Sequence, residues 1–154
     1  MTTSTNRRAR LARPRAVPMA VIALAVAGLA CAVAAFVIVG FVTDYLAEYP
    51  SSYSDFSKDA ILVQALISAA LIFGTAYVLW NVPGWARRTM GVLAALTGLS
   101  LGKMFLDGAL VLLFQPNPII PRWPLWLSVS SHVLVFVALF LVTRDDSKDY
   151  YDQF

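Results

Sequence analysis

Four long apolar stretches constrain the fold of this chain more than any other feature of its sequence. They cover about residues 19–42, 60–80, 90–114 and 123–142. A helix rises about 1.5 Å per residue and needs about 20 mainly apolar residues to cross the hydrocarbon core of a bilayer. Each stretch is therefore predicted to be a membrane-spanning helix. Because the segments between them are short, we predict an all-α integral membrane protein, an antiparallel bundle of four transmembrane helices.

The composition agrees with this class. Of 154 residues, 59% are hydrophobic and 14% are charged, whereas about 25% are charged in an average soluble domain. The predicted organisation is one membrane domain, residues 18–143, between a basic tail, 1–17, and an acidic and aromatic tail, 144–154. Pro83 and Gly84 are a turn signal, so residues 81–89 are expected to form a tight return between the second and third spans.

Single copies of two residue types exclude some function classes. Cys31 is the one cysteine and His132 the one histidine. A redox enzyme that uses a cysteine pair is therefore excluded, as is a haem held by two histidines of one chain. The sequence also lacks a nucleophile–base pair, a phosphate loop and a metal-ligand cluster. We accordingly predict no enzymatic activity, no cofactor, no metal and no nucleic-acid partner.

The distribution of basic residues predicts the orientation. The first tail, the second loop and the last tail hold five, two and two Lys or Arg residues, and the other two loops hold one each, with Lys103 set aside. Cytoplasmic segments of membrane proteins are enriched in Lys and Arg. The expected location is the plasma membrane, multi-pass, with both termini in the cytoplasm. Arginines of the first tail are predicted to attract anionic lipid headgroups: Arg7, Arg8, Arg10, Arg13 and Arg15.

Polar residues inside the predicted spans are the candidate site. Lys103 and Asp107 interrupt the third apolar stretch, and each charge in hydrocarbon costs about 2.5 to 3.5 kcal/mol or more, so each needs protein or water around it. Counting helical rise from the span ends places His132 at a similar depth. The predicted intramembrane cluster is Lys103, Asp107, His132, Ser68, Ser100, Ser128 and Ser131.

Small residues predict where helices approach one another closely. Ala94, Gly98 and Gly102 recur every four residues along the third span, and Gly28 and Gly40 lie in the first. Such residues let two helix backbones come together in a membrane. We expect the first three to form a packing strip beside the polar cluster.

Two interpretations of the cluster lead to different functions. In one, the polar side chains are hydrogen-bonded to one another and either fix helix register or bind a partner. The protein is then an accessory or interaction subunit of a cell-envelope membrane complex. In the other, the cluster is a proton relay or ion site of a small transporter, since intramembrane ionisable groups commonly serve transport. Other membrane subunits or a second copy of the chain are the expected partners besides the lipid bilayer. A third class, an enzyme acting on a lipid or quinone, is supported only by interfacial Trp and Tyr residues.

The layout resembles, in pattern only, small four-span proteins of high-GC Gram-positive bacteria. Nine arginines against three lysines suggest a GC-rich coding sequence, and Ser147-Lys-Asp-Tyr150 is compatible with the polar tails of those proteins. The resemblance carries no specific motif. It implies a bacterial source and no activity.

Overall fold

A computed structural model of the protein describes residues 13–48, 56–106 and 122–154. Within these ranges the chain is almost entirely helical and contains no β-strand. The helices are α1 (Ala16–Glu48), α2 (Phe56–Asn81), α3 (Pro83–Leu106), α4 (Arg122–Thr143) and α5 (Asp145–Tyr151).

Three helices are long and apolar enough to cross a membrane. The qualifying segments are Ala16–Asp44, Leu62–Asn81 and Arg122–Thr143, which correspond to the first, second and fourth predicted spans. The described part of α3 does not qualify by itself. The predicted third span continues to residue 114, beyond the described residues, so a fourth span stays a prediction.

Helix α1 has the most extensive contacts with other helices. It packs against α2 and α4, while α3 contacts the same two helices less extensively. Small or medium apolar residues, spaced three or four apart, form the fully buried face of α1: Val17, Ala20, Leu24 and Ala27. This spacing places them on one face of a helix. Because alanine has a short side chain, the neighbouring helices can approach the α1 backbone closely.

A glycine contact joins α1 to α2. An added Cβ at Gly28 would lie 2.9 Å from the Phe73 ring, whereas one at Gly40 would meet no described residue within 4 Å. The close approach expected from these two glycines is therefore confirmed at Gly28 and stays a prediction at Gly40.

The return between α2 and α3 is shorter than predicted. Only Val82 separates the two helices, and Pro83 is the first residue of α3. Proline is well tolerated at this position, because the first N–H groups of a helix have no partner within the helix. Arg87 and Arg88 consequently lie on α3 rather than in a loop.

The last predicted tail contains a helix. After Arg144 the chain forms α5, which contacts α1, α3 and α4. Ser147, Tyr150 and Tyr151 are buried by these contacts. Since the described chain also begins here, at Arg13, we call this the terminal end of the molecule.

Candidate functional site

A partly polar cavity of about 240 Å³ lies among α1, α2, α3 and α4. Its apolar wall includes Ala34, Ile72 and Leu93. The polar part of the wall is formed by Cys31, Gln64, Ser68, Thr97, Ser100, Ser128, Ser131 and His132.

His132 links α4 to α3 across this cavity. Its Nδ1 lies 2.8 Å from the carbonyl oxygen of Ser128, and its Nε2 lies 3.2 Å from Ser100 Oγ. A carbonyl oxygen only accepts hydrogen bonds, so Nδ1 must carry a proton. In the neutral ring Nε2 is then an acceptor, and the Ser100 hydroxyl donates to it. The neutral imidazole thus has a hydrogen-bond partner at both nitrogens.

Other hydroxyls of the cavity are satisfied within their own helices. Ser131 Oγ donates to the Ser128 carbonyl at 2.7 Å. Ser68 donates to the Gln64 carbonyl at 2.8 Å, and Thr97 donates to that of Leu93 at 2.8 Å. Such bonds to a preceding turn let a hydroxyl lie in an apolar helix without a partner on another helix.

The structure brings part of the predicted polar cluster together. Ser100, Ser128, Ser131 and His132 form one hydrogen-bonded group, and Ser68 lines the same cavity. Lys103 lies on the exposed side of α3 and is not among the residues that line the cavity. Asp107 lies outside the described residues, so its expected bond to His132 or a serine stays a prediction.

Cys31, Gln64 and Thr97 line the cavity but were absent from the predicted cluster. Two of them could have been found from helical spacing. Gln64 lies four residues before Ser68, and Thr97 three before Ser100, so each shares a helix face with a predicted member. Nothing in the sequence indicates that Cys31 faces the same space.

The predicted packing strip of α3 is buried at only one of its three positions. Ala94 is buried, whereas a Cβ added at Gly98 or Gly102 would meet no atom of the described residues within 4 Å. Gly91 and Ala95 are exposed beside them. We call Gly91, Ala95, Gly98 and Gly102 the open strip of α3.

At the terminal end, Arg13 holds the two tails and α2 together. Its guanidinium carbon lies 3.9 Å from the ring centroid of Trp80. Arg13 also donates to the Trp80 carbonyl at 3.1 Å and to the Tyr150 hydroxyl at 3.3 Å. Arg13 therefore has intramolecular contacts besides its predicted attraction to lipid. Arg15 is exposed, and Arg7, Arg8 and Arg10 lie outside the described residues.

Two further contacts hold α5 in place. The Tyr151 hydroxyl donates to the Leu79 carbonyl at 3.4 Å, and Arg87 forms a 2.6 Å salt bridge with Asp152. Burial, reinforced by the neighbouring Tyr150 and partly offset by Arg13, raises the pKa of Tyr151 to about 12. The Tyr151 phenol is therefore neutral at physiological pH, as its position against α2 requires.

No group of three or more His, Cys, Asp or Glu residues that could hold a metal ion occurs within the described ranges. Comparison with models of known protein families, with curated proteins and with solved structures finds no match to this chain.

Proposed function

We propose that this chain is an accessory or interaction subunit of a membrane-protein complex in the cell envelope. The proposed form is a four-span bundle in the plasma membrane with both termini in the cytoplasm. Three candidate spans and the asymmetry of Lys and Arg support this form. The contacts of Arg13 with Trp80 and Tyr150 also support it, because Arg13 and α5 lie at the same end of the helices.

The observation that carries the proposal is a side of α3 that no other described residue covers. The open strip exposes small residues along this side, where a neighbouring helix could approach the backbone closely. Lys103 is an independent second observation: the exposed part of its side chain would meet hydrocarbon if lipid alone surrounded α3. A charge at such a position favours surrounding protein or water. We therefore propose that a transmembrane helix of a different subunit covers this side.

The hydrogen bonding of the cavity supports the same choice. His132, Ser68, Thr97 and Ser131 each have a partner within the chain. These bonds lie within single helices, whereas the bond between His132 and Ser100 joins α4 to α3. That bond fits the interpretation in which the polar cluster holds α3 and α4 in register.

The test is purification of the tagged, full-length protein from its native membrane in mild detergent, followed by mass spectrometry of proteins that accompany it. Wild type is expected to retain a stoichiometric membrane partner. Gly98→Leu combined with Gly102→Leu should reduce recovery of that partner by roughly tenfold, because two leucines on the open strip keep the helices apart. Gly40→Leu is the matched control, since Gly40 is equally open but lies on α1.

Circular dichroism and gel filtration establish that each variant is folded before recoveries are compared. Equal partner recovery from the double variant and the control would contradict the proposed surface. Recovery of wild type only as a homo-oligomer would contradict the choice of a different subunit.

A second candidate function, a small proton- or ion-coupled transporter, is favoured by one specific observation. The Ser100 hydroxyl at 3.2 Å can rotate from donor to acceptor. His132 could therefore gain a proton at Nε2 and keep this hydrogen bond, as a relay requires. Ser100 and His132 also line the cavity and are not enclosed between two tightly packed helices.

This candidate predicts pH-dependent proton flux in liposomes containing the wild-type protein. His132→Ala should remove that flux while the variant still assembles, and Ser130→Ala, an exposed serine of the same helix, should preserve it. Asp107→Asn tests the remaining predicted member of the relay. No flux from the wild-type protein would exclude transport of protons through the cluster and favour the subunit proposal.

A further inference from the structure

A second groove, of about 240 Å³, lies between α2 and α3 toward the terminal end. Its walls are mainly apolar and include Leu71, Val92 and Leu96. Thr75 and Thr89 are the hydroxyl-bearing residues of its lining. Their hydroxyls already donate to carbonyls of their own helices, at 2.8 Å and 3.1 Å respectively. The groove interior therefore offers contact area to a hydrocarbon chain rather than hydrogen bonds to a peptide.

Arg88 and Trp85 also line this groove. Both are exposed, and the guanidinium carbon of Arg88 lies 5.8 Å from the Trp85 ring centroid. Tryptophan is enriched where membrane meets water, at the level of lipid headgroups. Among the described residues Arg87 is paired with Asp152, whereas Arg88 forms no ion pair. The groove thus combines apolar walls with a positive charge beside an exposed tryptophan.

We propose that this groove binds one anionic phospholipid, with an acyl chain between α2 and α3 and the phosphate at Arg88. A guanidinium is well suited to a phosphate, because it can donate two parallel hydrogen bonds to its oxygens. A zwitterionic lipid would bring its own ammonium group to the same arginine, so an anionic headgroup is preferred. The open strip of α3 consists of other residues. The proposal of a lipid site therefore does not depend on the proposal of a partner surface.

The test is native mass spectrometry of the full-length protein in mild detergent. Dimyristoyl phosphatidylglycerol is titrated against dimyristoyl phosphatidylcholine, which has the same chains. Phosphatidylglycerol should remain bound and phosphatidylcholine should not. Arg88→Gln should weaken phosphatidylglycerol binding roughly fivefold, the loss expected for one basic residue near an anionic headgroup. Arg88→Lys keeps the charge and should bind more tightly than Arg88→Gln.

Three further variants distinguish binding in the groove from general electrostatic attraction between lipid and protein. Arg144→Gln removes an exposed arginine from the same end of the molecule, outside the groove, and should leave binding unchanged. Val92→Trp should fill the groove and weaken phosphatidylglycerol binding although Arg88 is intact. Val137→Trp places the same bulk on an exposed position of α4 and should have no effect.

Three results would overturn the proposal. Equal binding of the two lipids would exclude recognition of the anionic headgroup. If Arg144→Gln weakened phosphatidylglycerol binding as much as Arg88→Gln, the lipid would be attracted by the basic residues of this end in general rather than bound in the groove. Full competition by inorganic phosphate, with binding unchanged in Val92→Trp, would show an anion site without a chain.

Discussion

Replacement of Ala27 by leucine is expected to lower the free energy of unfolding by about 3 kcal/mol, the upper end of the usual effect of overpacking. Ala27 is 0% exposed and belongs to the buried cluster that includes Leu24, Ile72 and Val135. A leucine there requires either displacement of a neighbouring helix or strained side chains. Because α1 has the most extensive helix contacts in the described part of the chain, the change should affect the packing of α2 and α4 as well.

Ala25→Leu is the matched control. Ala25 lies on the same helix only two residues away but is exposed, so leucine at this position adds apolar surface toward lipid or detergent. Thermal unfolding of both variants in one detergent measures the difference. Equal unfolding temperatures for the two variants would show that Ala27 is packed less tightly against its neighbours than the structure indicates.

The sequence predicts the helices of this protein better than their ends. Long apolar stretches have few alternatives to helix in a membrane, because each backbone polar group must find its partner within the segment. The start of α3 was misjudged, because Pro83-Gly84 is a turn signal that is also compatible with the first turn of a helix. Helix α5 was missed because it is short and polar, and its burial depends on contacts of Tyr150 and Tyr151 with distant parts of the chain.

The candidate site was only partly predictable from the sequence. Helical rise predicted that His132 lies level with Lys103 and Asp107, whereas its described contact on α3 is Ser100, three residues before Lys103 and further from the predicted end of the span. Which side of a helix faces inward is much harder to predict when the helix is apolar on all sides. This is why the sequence did not indicate that Cys31 lines the cavity or that Lys103 lies on the exposed side of α3.

Replacement of Tyr151 by alanine is expected to release α5 from the terminal end. Tyr151 is 3% exposed, and loss of a large buried aromatic side chain costs about 3 to 5 kcal/mol. The remaining salt bridge between Arg87 and Asp152 is formed by half-exposed side chains, and such pairs contribute about 0 to 1 kcal/mol. It is therefore too weak to hold α5 alone.

Limited digestion with trypsin measures this release, because Arg144 and Lys148 are cleavage sites immediately before and within α5. Cleavage at Lys148 should become much faster in Tyr151→Ala and stay slow in Tyr77→Ala, which removes an exposed tyrosine from α2. Tyr151→Phe should resemble wild type, since it loses only a long hydrogen bond of 3.4 Å. If Tyr151→Phe released α5 as readily as Tyr151→Ala, the bond to the Leu79 carbonyl, rather than burial of the ring, would hold the helix. If instead Tyr151→Ala left cleavage unchanged, α5 would depend on the contacts of Tyr150 with Arg13 and Phe154, which that substitution preserves.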